Sequence, residues 1–445
     1  MTQRKLKSGR GAIFHESAPL AATLAEVLPQ RSPDWTASAE KPVWADILID
    51  ETLDIHFQPI VSLKKKSIVG VEALARPQNG RGGRGVTPLE LFAWAARNGK
   101  TVDLDRLCRR KALSAFSPIS DSPQHPLLFL NFETSILDMG VLGSGVLAKA
   151  VRDAGLSPSE IVIEINESKV IDVSALQRFV ETHRAQGFLF ALDDLGAGFS
   201  NLARIGPLKP EILKLDRALI EGIDTDFHKQ EVFKALAGLG RRVGSLILAE
   251  GVETEAEVST CVDLGADLVQ GYYFGRPASP ENLSLEFVDA HVTEAADSQR
   301  RRAAERLAQQ RVQTEMRLSL MEDLVADMGG QDYPDFPIAM ASLAQRSPDI
   351  ECLYVLDAQG LQVTPTVTAP SRDSKPWTRL FYPAVKGADH SSKEYYYALV
   401  EGGPLLCTTE AYLSLATGKL CRTLSCRFRD AQGVPFILCL DIDVA

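Results

Sequence analysis

Short apolar runs alternate with amphipathic segments between residues 50 and 290, and this alternation limits the possible folds more than any other feature. Eight runs have the character of strands: HFQPIV, SIVGVEAL, LLFLNF, IVIEI, FLFALD, ILKL, LILAE and LVQGYYF. Segments such as PLELFAWAARNG and DVSALQRFVETHRAQG lie between them and have helical periodicity. Strand–helix alternation repeated over ~240 residues predicts an α/β fold, a closed (β/α)8 TIM-like barrel with a parallel sheet.

The sequence outside the barrel predicts three further parts: a leader, a linker helix and a C-terminal domain. Residues 1–45 show no sustained pattern and are interpreted as a partly ordered leader, followed by the barrel over 46–290. Residues 291–330 lack Pro and end in two glycines, which predicts a linker helix. Its apolar stripe indicates packing on a neighbour or on a second subunit: Val312, Met316, Leu320, Leu324 and Met328. Residues 331–445 predict a smaller α+β domain, in which DAQG stands twice between apolar runs as a hairpin-type turn.

Charge and composition exclude several classes of protein. The net charge of -10 gives no electrostatic footprint for a nucleic-acid polymer. No apolar run approaches the ~20 residues of a membrane-spanning helix. The seven cysteines are scattered along a long chain, which predicts reduced thiols and a cytoplasmic protein. Five of them lie in the C-terminal domain, and four of these cluster without a metal-binding spacing and are interpreted as buried thiols: Cys407, Cys421, Cys426 and Cys439.

Polar side chains end seven successive predicted strands. These residues are Glu72, Asn131, Glu164, the pair Asp193–Asp194, Lys214, Glu250 and Gln270. A single acid at a strand end is usually solvated, and either aspartate alone would suit a turn or a helix cap. Because the carboxyl ends of barrel strands meet at one mouth, the repetition favours a shared site.

The chemistry of these side chains indicates a metal site. Five carboxylates and an amide at one mouth would repel each other without cations. Hard oxygen ligands suit Mg²⁺ or Mn²⁺, and Asp193 and Asp194 are placed to bridge two ions or to split between them. Two ions ~3.5–4 Å apart are the arrangement for in-line hydrolysis of a phosphoester. Lys214 would orient the attacking water or neutralise a phosphate oxygen, and Gly196 and Gly198 would let the following loop lie close to a ligand.

The motifs around these residues occur in a characteristic order. They are QPI at 58–60, VEALAR around Glu72, LNFE around Asn131, EINES at 164–168, DDLGAGFS at 193–200, KLD at 214–216, AEGVET at 249–254 and QGYYFGRP at 270–277. This set resembles the EAL-domain cyclic di-GMP phosphodiesterases over roughly residues 50–290. The resemblance implies a barrel that hydrolyses one phosphodiester bond of cyclic di-GMP to give linear 5′-pGpG, with Mg²⁺ or Mn²⁺ as cofactor.

The resemblance also implies roles for single residues. One metal would be bound by Glu72, Asn131, Glu164 and Asp193. The second metal and its water would be served by Asp193, Asp194 and Glu250. Glu250 would have general-base character, and Lys214 would contact the nucleophilic water.

Further positions match the substrate side and the loop after the two aspartates. Substrate-binding positions are matched by Gln58, Arg76 and Gln270. Loop-stabilising acids are matched by Glu167 and Glu253. The chain departs from the family pattern at Pro77, where an aromatic residue is common, and at Asn166, which replaces a usual Thr.

The stretch KEYYYALVEGGPLLCTTEAYLSLATGKLCRTLS at 393–425 resembles PAS/Cache-like modules that follow some EAL domains. This implies a sensory domain that regulates the barrel and binds an unknown small ligand, in a protein that we expect to be a homodimer. Tyrosines 395–397 and Tyr412 would line a pocket or belong to the core. Two other functions remain open, a catalytically silent cyclic di-GMP receptor and a metal-dependent phosphodiesterase for other nucleotides. The complete set of metal-binding side chains favours the active cyclic di-GMP phosphodiesterase.

Overall fold

The computed structural model describes residues 47–78, 87–138, 145–166, 172–196, 202–345, 350–368, 380–400 and 403–443. The leader predicted for residues 1–45 and the acid Glu167 lie outside these ranges. The chain divides into two compact units, Met1–Asp297 and Ser298–Ala445. No helix among the described residues is long and apolar enough to cross a membrane.

Eight strands of the first unit close into a barrel in sequence order. They are β1 (Leu53–Ser62), β2 (Ser67–Pro77), β3 (Leu127–Phe132), β4 (Ile161–Ile165), β5 (Leu189–Leu195), β6 (Ile212–Leu215), β7 (Leu246–Glu250) and β8 (Leu268–Gln270). The predicted closed eight-stranded barrel is therefore confirmed.

The expectation of an entirely parallel sheet is wrong for the first strand. Strand β1 pairs antiparallel with both β2 and β8, whereas the other neighbouring strands are parallel. Only Leu63–Lys66 separate β1 from β2, and these residues form a turn. A parallel pair needs a crossover of about a dozen residues or more, so this short connection can make only a hairpin.

Helices follow most of the barrel strands and cover the outside of the sheet. They are α1 (Pro88–Arg97), α2 (Thr101–Ser120), α3 (Ser135–Asp138), α4 (Val146–Asp153), α5 (Val173–Arg184), α6 (Ile205–Leu208), α7 (Arg217–Ile220), α8 (Phe227–Val243) and α9 (Glu255–Leu264). Helix α1 begins with a capping box, in which Thr87 and Glu90 bond each other's backbone N–H groups. The apolar faces of the longer helices pack on the outward residues of the strands and form the main core.

A long helix, α10, spans Leu285–Gly329, whereas the sequence predicted a linker helix over 291–330. The apolar stripe predicted on it does not behave as one surface. Met321, Leu324 and Met328 are fully buried in the core of the second unit, while Val312 and Met316 are exposed. The first half of the stripe is therefore exposed and lies outside the hydrophobic cores. The second half belongs to the core of the second unit.

The second unit contains helices α11 (Phe336–Leu343) and α12 (Glu394–Tyr397) beside an antiparallel sheet. Its strands are β9 (Ile350–Leu356), β10 (Val367–Thr368), β11 (Leu406–Thr408), β12 (Tyr412–Leu413), β13 (Leu420–Arg429) and β14 (Pro435–Asp443). They are ordered β10-β9-β14-β13-β11, and β12 also pairs with β13. All seven cysteines of the chain are free thiols.

Candidate active site

The barrel interior is filled by one layer of apolar side chains, and the polar residues form the next layer. The apolar layer contains Phe129, Val162, Ala191, Ile212, Leu248 and Leu268, one from each of six neighbouring strands. Two residues further along the same strands stand Asn131, Glu164, Asp193, Lys214, Glu250 and Gln270. Because alternate residues of a strand share a face, all six polar residues also point into the barrel, at its carboxyl end. The predicted residues thus share one mouth.

Lys214 lies at the centre of this polar layer. Its ammonium nitrogen is 2.6 Å from Glu164 Oε1, 2.6 Å from Glu250 Oε1 and 3.0 Å from Asp193 Oδ1. Glu72 Oε1 is 4.0 Å away. The lysine is only 1% exposed, so it is held by these carboxylates and not by water. Burial acts to lower the pKa of Lys214, but the surrounding carboxylates raise it well above its usual value.

The cluster places four carboxyl groups, those of Glu72, Glu164, Asp193 and Glu250, around one ammonium group. Burial and the charge of Glu72 raise the pKa of Glu164 well above its usual value, and burial raises the pKa of Glu250 to about 8. One buried oxygen of Glu164, Oε2, accepts no hydrogen bond. A single ammonium group therefore leaves the carboxylates incompletely neutralised, and additional positive charge would stabilise them.

The donor set fits hard divalent cations. Carboxylate oxygens and the amide of Asn131 are the ligands that Mg²⁺ and Mn²⁺ prefer. Within the described ranges, however, no three acidic, histidine or cysteine side chains have the geometry of a preformed metal site. The position between the carboxylates is taken by the Lys214 ammonium instead. Binding of a cation among them would require that the lysine contacts rearrange.

A bulge in β5 separates the two adjacent aspartates. The ladder with β6 shifts between Leu192 and Leu195, so that β5 has one extra residue there. Asp194 has the left-handed φ of 59°, which aspartate tolerates better than most residues. Asp193 consequently faces Lys214, whereas Asp194 accepts a hydrogen bond from the Asn166 side chain. The sequence analysis did not identify Asn166 as a site residue.

Glu72 is fixed by amide side chains from two other strands. Asn131 Nδ2 donates to Glu72 Oε1 at 2.9 Å, and Gln270 Nε2 donates to Glu72 Oε2 at 2.6 Å. The antiparallel register places Gln58 directly opposite Glu72, and its Oε1 accepts from Gln270 Nε2 at 3.3 Å. Burial opposes ionisation, but Lys214 and these amide donors lower the pKa of Glu72. Glu72 is thus held as a carboxylate.

Comparison with known proteins gives the family of this barrel. The family model described as "EAL domain" matches residues 44–277, which is more than half of the chain. The chain belongs to the EAL domain family. Two similar relatives from Pseudomonas aeruginosa are the bifunctional diguanylate cyclase/cyclic di-GMP phosphodiesterase MucR, 32% identical, and the cyclic di-GMP phosphodiesterase RocR, 29% identical. The matches cover 52% and 56% of this chain, and 34% and 64% of the relatives, less than two thirds of either one.

One solved structure resembles a larger part of this chain than the EAL domain alone. The Bacillus subtilis YkuI protein, with an EAL domain, was solved in complex with substrate c-di-GMP and calcium. The likeness covers 90% of this chain and 99% of YkuI, with a TM-score of 0.71 and 21% identity. At this identity the comparison establishes a common fold.

Two cavities flank the acidic cluster of the EAL domain. One of about 390 Å³ reaches Asn131 and both aspartates, and Arg76 lies in its wall. The other, of about 200 Å³, reaches Glu72, Glu250 and Gln270. The predicted substrate residues thus divide between them, with Arg76 at the first cavity and both glutamines at the second.

The loop after β7 is organised by an acid that the sequence analysis missed. Glu257 is buried, and its carboxylate accepts hydrogen bonds from the backbone N–H groups of Gly222, Glu253 and Thr254. It thereby joins the loops that follow β6 and β7 of the EAL domain. The capping-box pattern Thr254-x-x-Glu257 would have identified it as the start of α9.

The predicted loop-stabilising acid Glu253 has a different neighbour among the described residues. Its carboxylate forms an ion pair of 3.0 Å with Arg217, at the beginning of α7. Both side chains are substantially exposed, so the pair contributes little stability. The segment 197–201, towards which its predicted role points, lies outside the described residues, and this role stays a prediction.

Proposed function

We propose that this EAL domain hydrolyses cyclic di-GMP to linear 5′-pGpG in a metal-dependent reaction. The observation that carries the proposal is the convergence of Glu72, Glu164, Asp193 and Glu250 on the buried Lys214. Similarity to MucR and RocR, both named as cyclic di-GMP phosphodiesterases, supports the choice of substrate.

We further propose that two ions, Mg²⁺ or Mn²⁺, bind at this cluster. Glu72, Asn131, Glu164 and Asp193 would hold one ion, and Asp193, Asp194 and Glu250 the other. Bound divalent cations would activate water and stabilise the leaving oxygen. The incomplete neutralisation of the buried carboxylates supports this assignment. The calcium in the YkuI complex is consistent with a divalent cation in the family.

The chain's own residues would bind and orient the substrate. Lys214 supplies a buried positive charge that would stabilise charge on a phosphate oxygen or hold the attacking water. Arg76 would contact a substrate phosphate from the wall of the larger cavity. Gln58 and Gln270 are held side by side by hydrogen bonding, and they would fix the substrate at the smaller cavity.

The second unit is proposed to be a PAS/Cache-like sensory domain that binds a small ligand and regulates hydrolysis. Its antiparallel sheet, with the first strand between the second and the last, supports this comparison. We also propose that the protein is a cytoplasmic homodimer. The free cysteines are consistent with a reducing compartment, and the exposed apolar residues of α10 offer a surface for a second subunit.

The test is release of pGpG from cyclic di-GMP by the full-length protein with Mg²⁺, with Mn²⁺ and with EDTA. Turnover that depends on the metal and disappears with EDTA is expected. Tight binding of cyclic di-GMP without turnover under any metal condition would overturn the proposal in favour of a receptor. Turnover of other cyclic nucleotides at similar kcat/KM would instead indicate a less specific phosphodiesterase.

A further inference from the structure

The second unit contains a cavity of about 490 Å³, which lies entirely within that unit. Its buried wall includes Tyr354 from β9 and Asp441 from β14, and its rim includes the exposed residues Lys393, Glu394 and Glu410. The volume is within the range of ~300–1,000 Å³ that is typical of small-molecule sites. The cavity is therefore large enough for a small organic ligand.

On one side of the cavity, the side chains of Gln362, His390 and Tyr395 are linked by hydrogen bonds. Gln362 Nε2 donates to the carbonyl oxygens of Thr364 and Ala384, so its Oε1 faces His390. His390 Nε2 lies 3.0 Å from this oxygen and therefore donates to it. The other ring nitrogen, Nδ1, then accepts from the Tyr395 hydroxyl at 2.7 Å. Because burial, with the charge of Lys393, lowers the pKa of His390, this neutral tautomer persists and supplies no positive charge.

The cavity wall also contains the carboxyl group of Asp441, whose hydrogen-bond donors are neutral. Asp441 is 3% exposed. Thr423 Oγ1 donates to its Oδ1 at 2.7 Å, and the Cys352 thiol donates to its Oδ2 at 3.2 Å. These three residues are neighbours across β13, β14 and β9 in the register of the sheet. Both of these donors are neutral groups, so neither supplies a positive charge to Asp441.

The charge of the lining favours a cationic ligand. Three carboxyl residues, Asp441, Glu394 and Glu410, face a single cationic side chain, Lys393, while His390 is neutral. An anionic ligand would be repelled by this lining, and a buried carboxylate without a cation is costly. Tyrosine rings also line the cavity, and aromatic faces attract organic ammonium ions: Tyr354, Tyr382, Tyr395 and Tyr412.

We propose that this cavity binds a small organic ammonium ion, with its charged nitrogen at Asp441 and its apolar or aromatic body against the tyrosines. The proposal gives a chemical class to the ligand of the proposed sensory domain. It does not depend on the phosphodiesterase reaction, because binding to the second unit is measured directly.

The experiment uses the full-length protein and three pairs of matched probes. Phenethylamine, tyramine and benzyltrimethylammonium are the cations. The alcohols 2-phenylethanol, tyrosol and benzyl alcohol are neutral counterparts with similar bodies. Saturation-transfer NMR and calorimetry should detect binding of at least one cation and about tenfold weaker binding of its neutral counterpart, since charge-assisted contacts are the stronger ones.

Variants of the cavity locate the binding. Asp441→Asn keeps the shape of the side chain and should weaken binding of the cation by about tenfold while leaving the neutral counterpart unchanged. Glu410→Gln, which removes a carboxylate at the exposed rim, is the matched control and should weaken binding of the cation by less than about threefold. Ala411→Leu places a larger side chain in the wall and should weaken both probes of a pair.

Two results would overturn the proposal. One is the absence of binding of all three cations at millimolar concentration to a protein that is folded by circular dichroism. The other is equal binding of the cations by the wild type and by Asp441→Asn, with both proteins equally folded by circular dichroism. Because neither readout is turnover, failure here is distinct from failure of the phosphodiesterase assignment.

Discussion

The ammonium nitrogen of Lys214 lies 2.6 Å from Glu164 Oε1, and both side chains are buried. The lysine therefore supplies the positive charge of the cluster among the described residues, where the carboxylates of Asp193 and Glu250 also contact it. Removing one partner of a buried charge pair leaves the other uncompensated, which is more costly than the pair is favourable. The cluster thus couples the stability of the EAL domain to its proposed chemistry.

Lys214→Met should reduce the free energy of unfolding in metal-free buffer by about 3–5 kcal/mol, because buried carboxylates lose their counter-charge. Added Mg²⁺ or Mn²⁺ should recover part of this loss, since cations replace the ammonium group. Calorimetric unfolding with EDTA and with metal measures both effects. The exposed Lys234→Met is the control and should unfold like the wild type. Equal stability of Lys214→Met and the wild type in EDTA would contradict the proposed charge balance.

Glu72→Ala and Asp193→Ala should each reduce turnover of cyclic di-GMP by about a thousandfold or more, because both carboxylates are assigned to metal binding. Neither change removes much apolar packing, so the circular dichroism spectrum should stay unchanged. Asp54→Ala, which removes an acid on β1 that accepts from the exposed Gln78 side chain, should retain normal turnover. Wild-type rates in either site variant would remove the assignment.

Gly271→Ala should destabilise the EAL domain by about 3 kcal/mol and lower turnover, because an added methyl group would stand 2.0 Å from the Val252 carbonyl oxygen. The clash would separate the loop after β7 from β8, where Val252 N donates to Gln270 O. Chemical denaturation and initial rates measure the two effects. Gly206→Ala is the control, because an added methyl group meets nothing within 4 Å there. A Gly271→Ala protein as stable as this control would show that the close approach is not needed.

Asp441 should make the stability of the second unit depend on pH. Burial raises its pKa in the folded protein to about 6, compared with 3.8 for an unperturbed aspartate. The folded state therefore binds the proton more tightly, so the contribution of Asp441 to stability is greatest below about pH 4 and falls by about 3 kcal/mol as the pH rises to above 6. Hydrogen exchange of β14 amides, compared between Asp441→Asn and wild type at each pH, measures this. Compared with the wild type, the β14 amides of Asp441→Asn should be better protected from exchange near neutral pH than at low pH. A difference in protection between the two proteins that does not change with pH would contradict the prediction.

Much of the EAL site follows from strand periodicity and the order of motifs. Glu164 follows Val162 by two residues, and Lys214 follows Ile212 by two, so both polar residues continue the inward face of their strands. The alternation of elements also indicates the barrel. What periodicity does not provide is the direction of a strand, and only the four-residue connection before β2 shows that β1 is reversed.

Other features depend on contacts that a single sequence does not contain. The different directions of Asp193 and Asp194 result from a bulge whose left-handed residue is not a glycine. The neutral setting of Asp441 arises from side chains on β9 and β13, which are distant in sequence. The predicted apolar stripe on α10 is buried only in its second half. Periodicity gives the face of a helix that is apolar, but not which turns of that face pack against a core.

The reversal of β1 also determines which end of this strand lies at the mouth of the barrel. Leu53 pairs with Pro77, beside Arg76, so the chain enters β1 at the rim of the proposed active site. The Leu63–Lys66 turn lies at the opposite end of the same strand. A peptide inserted immediately before β1 would therefore lie beside the mouth, whereas one inserted in that turn would lie at the far end of the barrel. The turn is the safer position for a reporter or a surface anchor where the mouth must stay accessible.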